Sequence, residues 1–175
     1  VARTFASIDH ITRGRAAWNV VTSSSGRAAL NFSREEHMEH DRRYEVAQEF
    51  VDVVKGLWDC WEDGAIVADK ATGTFLDPTK VRPLNHRGRF FQVKGPINMA
   101  RSPQGHPVII QAGGSEAGLE LAARTADVVF SVVQELSSAK IAYRDLKTRM
   151  ARYERTPDQI AVLPGVMPII GSTEA

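Results

Sequence analysis

An apolar run that ends in two glycines and a serine is the first stretch of this sequence that could bind a ligand. Residues 108–118 read VIIQAGGSEAG. Gly113 and Gly114 lack a Cβ, so their backbone can approach a ligand closely, and Ser115 occupies the position where a helix would begin. The first N–H groups of a helix lack intrahelical partners and lie at the positive end of its dipole, which favours phosphate. A tight turn followed by a serine cap explains the same residues mechanically.

Neighbouring residues limit the phosphate interpretation. Glu116 falls in the first helical turn and must point away from any bound anion. The stretch has neither the lysine of a P-loop nor the GxGxxG spacing of a dinucleotide-binding turn. From the residues alone, the plain turn and the phosphate site both stay open.

A second group of polar side chains lies in HMEHDRRY. It consists of His37, His40, Asp41 and Tyr44. Their spacing of i, i+3, i+4 and i+7 predicts one stripe of a helix. Two histidines could ligate a metal, but no third ligand follows at a recognisable spacing, so a metal is the weaker interpretation. His40 and Tyr44 are instead candidates for hydrogen bonds to a ligand, and a solvated polar face is the alternative.

The third candidate is Asn19, within the predicted strand WNVVT at 18–22. A buried amide needs hydrogen-bond partners, so Asn19 belongs either to a core network or to a ligand contact. Nothing resembles the GxSxG motif of a serine hydrolase. Cys60 lies on the apolar side of a predicted helix and is expected to be an inert buried thiol.

The elements that position these residues alternate between strands and helices. The predicted strands cover 18–22, 107–111, 127–133 and 160–170, and the predicted helices cover 35–61, 115–126 and 137–153. Ser33 and Glu36 form a predicted capping box for the first helix. Continuous apolar strands are typical of a parallel sheet covered on both faces. This order fits a doubly wound sheet or part of a (β/α)8 barrel.

The segment 62–104 interrupts this alternation. It carries several Gly and Pro residues and is too long for an ordinary connection, which is typical of a binding loop or lid. Within it, RFFQV at 89–93 is predicted to form one strand of a small hairpin outside the main sheet. At the carboxyl end, Gly171 and the Ser-Thr-Glu that follows it predict the beginning of a helix.

Composition excludes several classes of function. The 175 residues are 43% hydrophobic and 25% charged, with a formal net charge of +1, which is typical of a globular protein with one sizeable core. The 22 basic and 21 acidic residues are interspersed, so neither nucleic acid nor a membrane surface is the expected partner. No apolar stretch has the length of a membrane span. The single cysteine excludes an intrachain disulfide and fits a reducing cytoplasm.

Five stretches together carry a resemblance to a known family. They are FASIDHITRGRAAWNVVTS, NFSREEHMEHDRRYEVAQEFVDVVKGLWDCWED, HRGRFFQVKGP, PQGHPVIIQAGGSEAGLELAARTADVVF and LPGVMPIIG. They resemble flavin-dependent monooxygenases of the bacterial luciferase-like superfamily, in the branch with nitrilotriacetate, dibenzothiophene-sulfone and pristinamycin-pathway monooxygenases. The resemblance implies an α/β fold of the (β/α)8 TIM-barrel type, of which this chain would form about half. Residues 1–175 would be a single partial domain with an insertion at about 62–104 that helps cover the active site.

The resemblance also implies the chemistry. Reduced FMN, supplied by a separate NAD(P)H:flavin reductase, would react with dioxygen to give a C4a-peroxide that oxygenates a small organic substrate. No protein nucleophile would be required. By position, His40 and Tyr44 match FMN contacts, and Ser115 matches the phosphate contact with Gly114 beside it. Asn19 is expected to face the isoalloxazine or the substrate.

Family members have further strands before and after the stretch that matches this chain. We therefore expect a fragment of a larger enzyme, with exposed apolar faces that favour a homo-oligomer. Two alternatives stay open. A non-catalytic flavin-binding or structural half-barrel would oxidise no substrate, and a deazaflavin-dependent relative would prefer another flavin. The substrate is not identified, because pocket specificity lies in the loops.

Overall fold

Residues 1–23, 25–33, 35–168 and 170–171 are described by a computed structural model. The chain divides into two units between Ile109 and Ile110. The helix start predicted after Gly171 lies outside the described residues. No helix in the described ranges is long and apolar enough to cross a membrane.

In its described residues, the first unit contains two α-helices, the first strand of the main sheet and two small hairpins. Its helices are α1 (Ala2–Thr12) and α2 (His40–Trp58), and its first strand is β1 (Ala17–Asn19). Strand β2 (Ile66–Asp69) pairs antiparallel with β3 (Thr74–Leu76), and β4 (His86–Arg87) pairs antiparallel with β5 (Gln92–Val93). Short 3-10 helices cover Gly26–Phe32 and Pro78–Lys80. Strand β6 (Val108–Gln111) begins in this unit, where the N–H of Val108 donates to the carbonyl of Ala16 at 3.3 Å.

Aromatic side chains pack both helices against β1. The ring of Trp18 lies 5.8 Å from Phe5 of α1, and 6.0 and 6.1 Å from Phe50 and Trp58 of α2, between centroids. The indole Nε1 of Trp58 donates to the carbonyl of Ala2 at 2.9 Å, so its burial leaves no donor unpaired. This aromatic cluster forms the core of the first unit beneath β1.

Helix α1 is an element that the sequence analysis missed. Its buried residues Ala2, Ala6 and Asp9 recur at helical spacing, but an aspartate in the apolar stripe hides the pattern. Asp9 is fully buried, and its carboxylate accepts from the backbone N–H groups of Ala16 and Gln104 at 3.2 and 3.0 Å. The side-chain Nε2 of Gln104 adds a third bond at 2.6 Å. Asp9 thereby ties the end of α1 to the loop before β6.

Helix α2 begins at His40, five residues later than predicted. Ser33 has a φ of 58° at the end of a 3-10 helix, and Glu39 is the N-cap without a side-chain cap bond. The predicted capping box of Ser33 and Glu36 is therefore wrong. Helices in proteins are stabilised mainly by a packed apolar face. The polar stretch at 35–39 contains only one methionine that could pack on an apolar face, which explains why α2 begins later than predicted.

The part of the second unit that the structure describes contains parallel strands and the helices that connect them. Strand β7 (Val128–Ser131) pairs with β6, and β8 (Ala161–Pro164) pairs with β7, both in parallel. Helix α3 (Glu116–Thr125) joins β6 to β7, and α4 (Leu136–Met150) with two 3-10 turns leads to β8. The predicted parallel βα order is confirmed. Strand β8 ends at Pro164 rather than near residue 170, because Pro164 and Gly165 interrupt the run.

The two faces of these strands differ in exposure. On the helix-covered face a buried cluster comprises Ala122, Ala123, Ala126, Val129, Leu146, Met150 and Ile160. On the other face Phe130 and Leu163 pair across β7 and β8 and are 44% and 53% exposed. Such an exposed apolar face is what we expect where a barrel is only partly present.

The segment 62–104 contains both hairpins. The hairpin predicted around RFFQV is confirmed, although only Gln92–Val93 of that stretch is a strand. Cys60, just before the segment, is buried as predicted, and its Sγ donates to the carbonyl of Gly56. Burial raises the pKa of the Cys60 thiol, which keeps it unreactive.

Candidate functional site

The start of α3 is a capped turn. Ser115 is the N-cap with extended backbone, at φ −75° and ψ 162°, and its Oγ accepts from the N–H of Gly118 at 3.2 Å. The predicted turn and serine cap are therefore confirmed. The first N–H groups of α3 lack intrahelical partners by the geometry of any helix start. The Ser115 hydroxyl can still donate its own proton to a ligand.

Space and charge at this turn fit a phosphate. A Cβ added to Gly114 would meet no atom within 4 Å in the described part of the chain, so this side of the turn is open. The carboxylate of Glu116 accepts from Arg149 Nη2 at 2.7 Å, which holds it toward α4. This bond raises the pKa of Arg149 above its ordinary value, so its positive charge offsets the carboxylate. The positive end of the α3 dipole is then free to attract an anion.

Two residues that shape the turn escaped the sequence analysis. A Cβ on Gly118 would lie 3.0 Å from the backbone of Gly113, so the turn packs directly on the first turn of α3. Gln111 holds the other side of the turn, where its Oε1 accepts from the N–H groups of Ala112 and Gly113 at 3.2 and 3.3 Å. A glycine inside a helix is unfavourable by about 1 kcal/mol relative to alanine, which is the signal that could have singled out Gly118.

His40 and Tyr44 come together at the start of α2. Their ring centroids are 5.0 Å apart, with planes inclined at 52°. The Nδ1 of His40 lies 2.8 Å from Oδ1 of Asp41, which leaves the Nε2 of the ring for another partner. Tyr44 is seven residues before the buried Val51 and therefore lies on the same side of α2. The two rings extend the core-facing side of α2 beyond its buried part.

His37 lies apart from these two rings. It precedes α2, and its Nε2 is 3.3 Å from the carbonyl oxygen of Ser23. The predicted stripe of four polar residues is therefore wrong at His37, because the helix begins only at His40. In the described ranges no group of three His, Cys, Asp or Glu side chains could hold a metal ion.

Asn19 is exposed at the end of β1. Trp18 on the same strand is buried against the helices, and successive side chains of a strand point to opposite faces. Asn19 therefore lies on the face opposite the helices, and the interpretation as part of a buried core network is wrong. Contact with a ligand is the interpretation that stays a prediction.

The β4–β5 hairpin is fastened to α2 through Glu49. Its carboxylate accepts from His86 Nε2 at 3.0 Å and from the N–H groups of Phe90 and Phe91 at 3.0 and 2.8 Å. Burial raises the pKa of Glu49, but these bonds outweigh it and the pKa lies below its ordinary value. A Cβ on Gly88 would overlap the Glu49 carboxylate, so a larger residue there would displace the side chain that fastens the hairpin.

A polar groove lies at the other end of α2. Its lining consists of Asp59, Trp61, Glu62, Asp63, Lys80 and Arg101. Asp59 Oδ1 accepts from Arg101 Nη1 at 2.7 Å and from His106 Nε2 at 2.8 Å. A helix of this length extends about 28 Å, so the groove is remote from His40. It does not belong to the group of His40 and Tyr44.

Sequence comparisons place the chain among luciferase-like monooxygenases. The family described as Luciferase-like monooxygenase matches residues 1–175. N-acetyl-S-(2-succino)cysteine monooxygenase of Bacillus subtilis (strain 168) is 53% identical over 174 residues, covering 99% of this chain and 40% of that protein. Nitrilotriacetate monooxygenase component A of Aminobacter aminovorans is 53% identical over 175 residues, covering 100% of this chain and 39% of that protein. The chain thus spans about two-fifths of the length of these relatives.

Solved structures agree with the sequence comparisons. Long-chain alkane monooxygenase superposes with a TM-score of 0.91 at 42% identity, over 94% of this chain and 38% of that one. Riboflavin lyase, solved with modified FMN and riboflavin, superposes with a TM-score of 0.88 at 34% identity, over 93% of this chain and 36% of that one. The predicted α/β fold of the TIM-barrel type, present here in part, is confirmed. The chain belongs to the luciferase-like monooxygenase family, in the branch with nitrilotriacetate monooxygenase that its motifs indicated.

Proposed function

We propose that this chain is part of a two-component flavin-dependent monooxygenase and that it contributes contacts to reduced FMN. The observation that carries the proposal is the start of α3, where Ser115 caps the helix, Gly114 borders open space and Arg149 offsets Glu116. Family membership and the modified FMN in the riboflavin lyase structure support a phosphorylated flavin as the anion that binds there.

Each candidate residue has a distinct role in this proposal. The N–H groups of Gly114 and Ser115, with the Ser115 hydroxyl, bind the FMN phosphate. His40 and Tyr44 donate hydrogen bonds to FMN, and the amide of Asn19 faces the isoalloxazine or the substrate. Bound reduced FMN supplies the electrons and the activation of dioxygen, so the protein needs no nucleophile of its own. The segment 62–104, fastened to α2 by Glu49, helps to exclude water.

The reduced flavin comes from a partner in this proposal. One relative is named component A, which supports a system with more than one component. We infer an NAD(P)H:flavin reductase as the second component, with dioxygen and a small organic molecule as substrates. The C4a-peroxide route, a homo-oligomer and a cytoplasmic location rest on the sequence analysis and stay predictions.

Oxygen incorporation tests the proposed activity. The chain is incubated with NAD(P)H, an NAD(P)H:flavin reductase, FMN and ¹⁸O₂, and with nitrilotriacetate and N-acetyl-S-(2-succino)cysteine as first probes because relatives are named for them. The expected result is a product with one ¹⁸O atom by mass spectrometry, formed only when FMN is present. Flavin retention without labelled product from a broad panel would favour a binding-only unit. Tighter binding of a deazaflavin than of FMN would favour a deazaflavin-dependent relative.

A further inference from the structure

Gln111 is a buried polar side chain to which the proposed function gives no role. It is the last residue of β6 and is only 2% exposed. Its Oε1 accepts two backbone hydrogen bonds, but within the described part of the chain its buried Nε2 has no hydrogen-bond partner. An unpaired buried donor is destabilising. Packing alone therefore does not explain a glutamine at this position, because its acceptor is used whereas its buried donor has no partner in the described part of the chain.

The bonds to Gln111 fix the backbone that leads to the proposed phosphate ligands. The N–H groups of Ala112 and Gly113 are both taken by its Oε1, at 3.2 and 3.3 Å. Gly113 is also in close contact with Gly118 of α3. The turn is thus held from two sides, and the next residue along, Gly114, borders open space. The side chain of Gln111 lies at the base of this turn. Its carbonyl oxygen accepts both backbone hydrogen bonds, whereas its amide nitrogen has no partner in the described part of the chain.

We propose that Gln111 is a positioning residue for the phosphate-binding turn, an inference that rests on the proposed function. Its Oε1 keeps the N–H groups of Ala112 and Gly113 turned away from the ligand. Its buried Nε2 does not touch the ligand, but its N–H groups bring partial positive charge to the base of the turn, which favours an anion at the start of α3. Gln111 therefore contributes to the preference for a phosphorylated flavin, whereas the remainder of the flavin is recognised elsewhere.

FMN and riboflavin differ only in the phosphate, so their affinities isolate the role of Gln111. Gln111→Met keeps the length of the side chain and removes both its acceptor and its donor. Dissociation constants for both flavins are measured by fluorescence quenching on wild type and variant. We expect FMN to bind about tenfold more weakly to the variant, with riboflavin unchanged.

Thr125→Val is the matched control. Thr125 is buried at the other end of α3, and its Oγ1 donates to the carbonyl of Leu121 at 2.7 Å. This variant removes a buried hydrogen bond from the same helix without touching the turn. It should keep the wild-type preference for FMN over riboflavin, even if its stability falls.

A second variant covers the case in which Gln111→Met fails to fold. Gln111→Glu keeps oxygen acceptors for Ala112 and Gly113 and replaces the donor with a negative charge, so we expect a folded chain without a preference for FMN. Folded variants of Gln111 that keep the wild-type ratio of the two constants would overturn its role and leave the phosphate site standing. A wild-type chain that binds FMN and riboflavin equally would overturn the phosphate site itself, and this inference with it.

Discussion

The hydroxyl oxygen of Ser115 accepts a hydrogen bond from the N–H of Gly118 at 3.2 Å and so caps α3. This bond gives Ser115 a structural role that is independent of the proposed phosphate contact. The two roles have different requirements. A helix cap needs only an acceptor oxygen. A side chain that binds a phosphate must instead donate a hydrogen bond and must not carry a negative charge.

Substitution of Ser115 therefore separates the two roles. Ser115→Ala should lower the free energy of unfolding by about 1 kcal/mol and weaken FMN binding. Ser115→Asp should keep the stability, because aspartate is an equally good N-cap and is favoured by the helix dipole, but it should abolish the preference for FMN over riboflavin. Urea unfolding and flavin titration measure the two effects. An aspartate variant that binds FMN like wild type would exclude the phosphate role.

Substitution by alanine should affect stability differently at Gly118 and at Gly114. At Gly118 the new Cβ would lie 3.0 Å from the backbone of Gly113, so we expect a loss of about 1–3 kcal/mol despite the better helix propensity of alanine. At Gly114 nothing lies within 4 Å in the described part of the chain, so stability should change little while the methyl group hinders the approach of FMN. Urea unfolding compares the two variants. Equal stability of both would show that the turn can move away from α3.

Tyr44→Phe tests the proposed flavin contact on α2. The variant keeps the ring that lies 5.0 Å from His40 and removes only the hydroxyl, so FMN affinity should fall about tenfold at unchanged stability. Tyr143→Phe is the control, because Tyr143 is 49% exposed on α4 and has no proposed role. Fluorescence titration gives both affinities. An unchanged affinity in Tyr44→Phe would remove this hydroxyl from the proposed contacts.

Asp9 should make stability depend on pH in the acid range. Burial raises its pKa, but hydrogen bonds from Gln104 and Ala16 outweigh it and hold the pKa below its ordinary value. An unfolded aspartate has a pKa of about 3.9, so the unfolded chain binds this proton first as the pH falls. The contribution of Asp9 is therefore complete above that value and is lost as the pH falls through the lower pKa of the folded state.

The variant Asp9→Asn isolates this effect. It should be about 2 kcal/mol less stable than wild type near neutral pH, with the difference shrinking below about pH 4. Urea unfolding at a series of pH values measures it. Asp63→Asn is the control, since the side chain of Asp63 is 95% exposed. If the free energies of unfolding of wild type and Asp9→Asn differed by the same amount at every pH, the lowered pKa of Asp9 in the folded chain would be contradicted.

The elements around the phosphate turn could be predicted because local signals agree there. The apolar run before Gln111, the glycine pair and the Ser115 cap all indicate a strand followed by a helix, and β6 and α3 lie within one residue of the predicted bounds. Gln111 and Gly118 were missed because their roles depend on how the turn folds back on α3. Spacing alone does not show that contact.

Other features of the fold were not predicted from the sequence, because contacts and packing beyond the local sequence pattern determine them. The buried carboxylate of Asp9 in α1 is satisfied by Gln104, 95 residues further along the chain. No local pattern predicts that partner. The start of α2 depends on where the apolar face ends, so the capping signal at Ser33 did not decide it. Asn19 was assigned to a buried strand because its neighbours are apolar, whereas β1 exposes alternate residues.

Binding of the FMN phosphate at the start of α3 is tested most directly by ¹H–¹⁵N NMR. The labelled chain is titrated first with riboflavin and then, in a separate sample, with FMN. We expect FMN to shift the amide signals of Gly114 and Ser115 and riboflavin to leave both in place. FMN binding that spares these two amides, or riboflavin that shifts them equally, would contradict the proposed phosphate site.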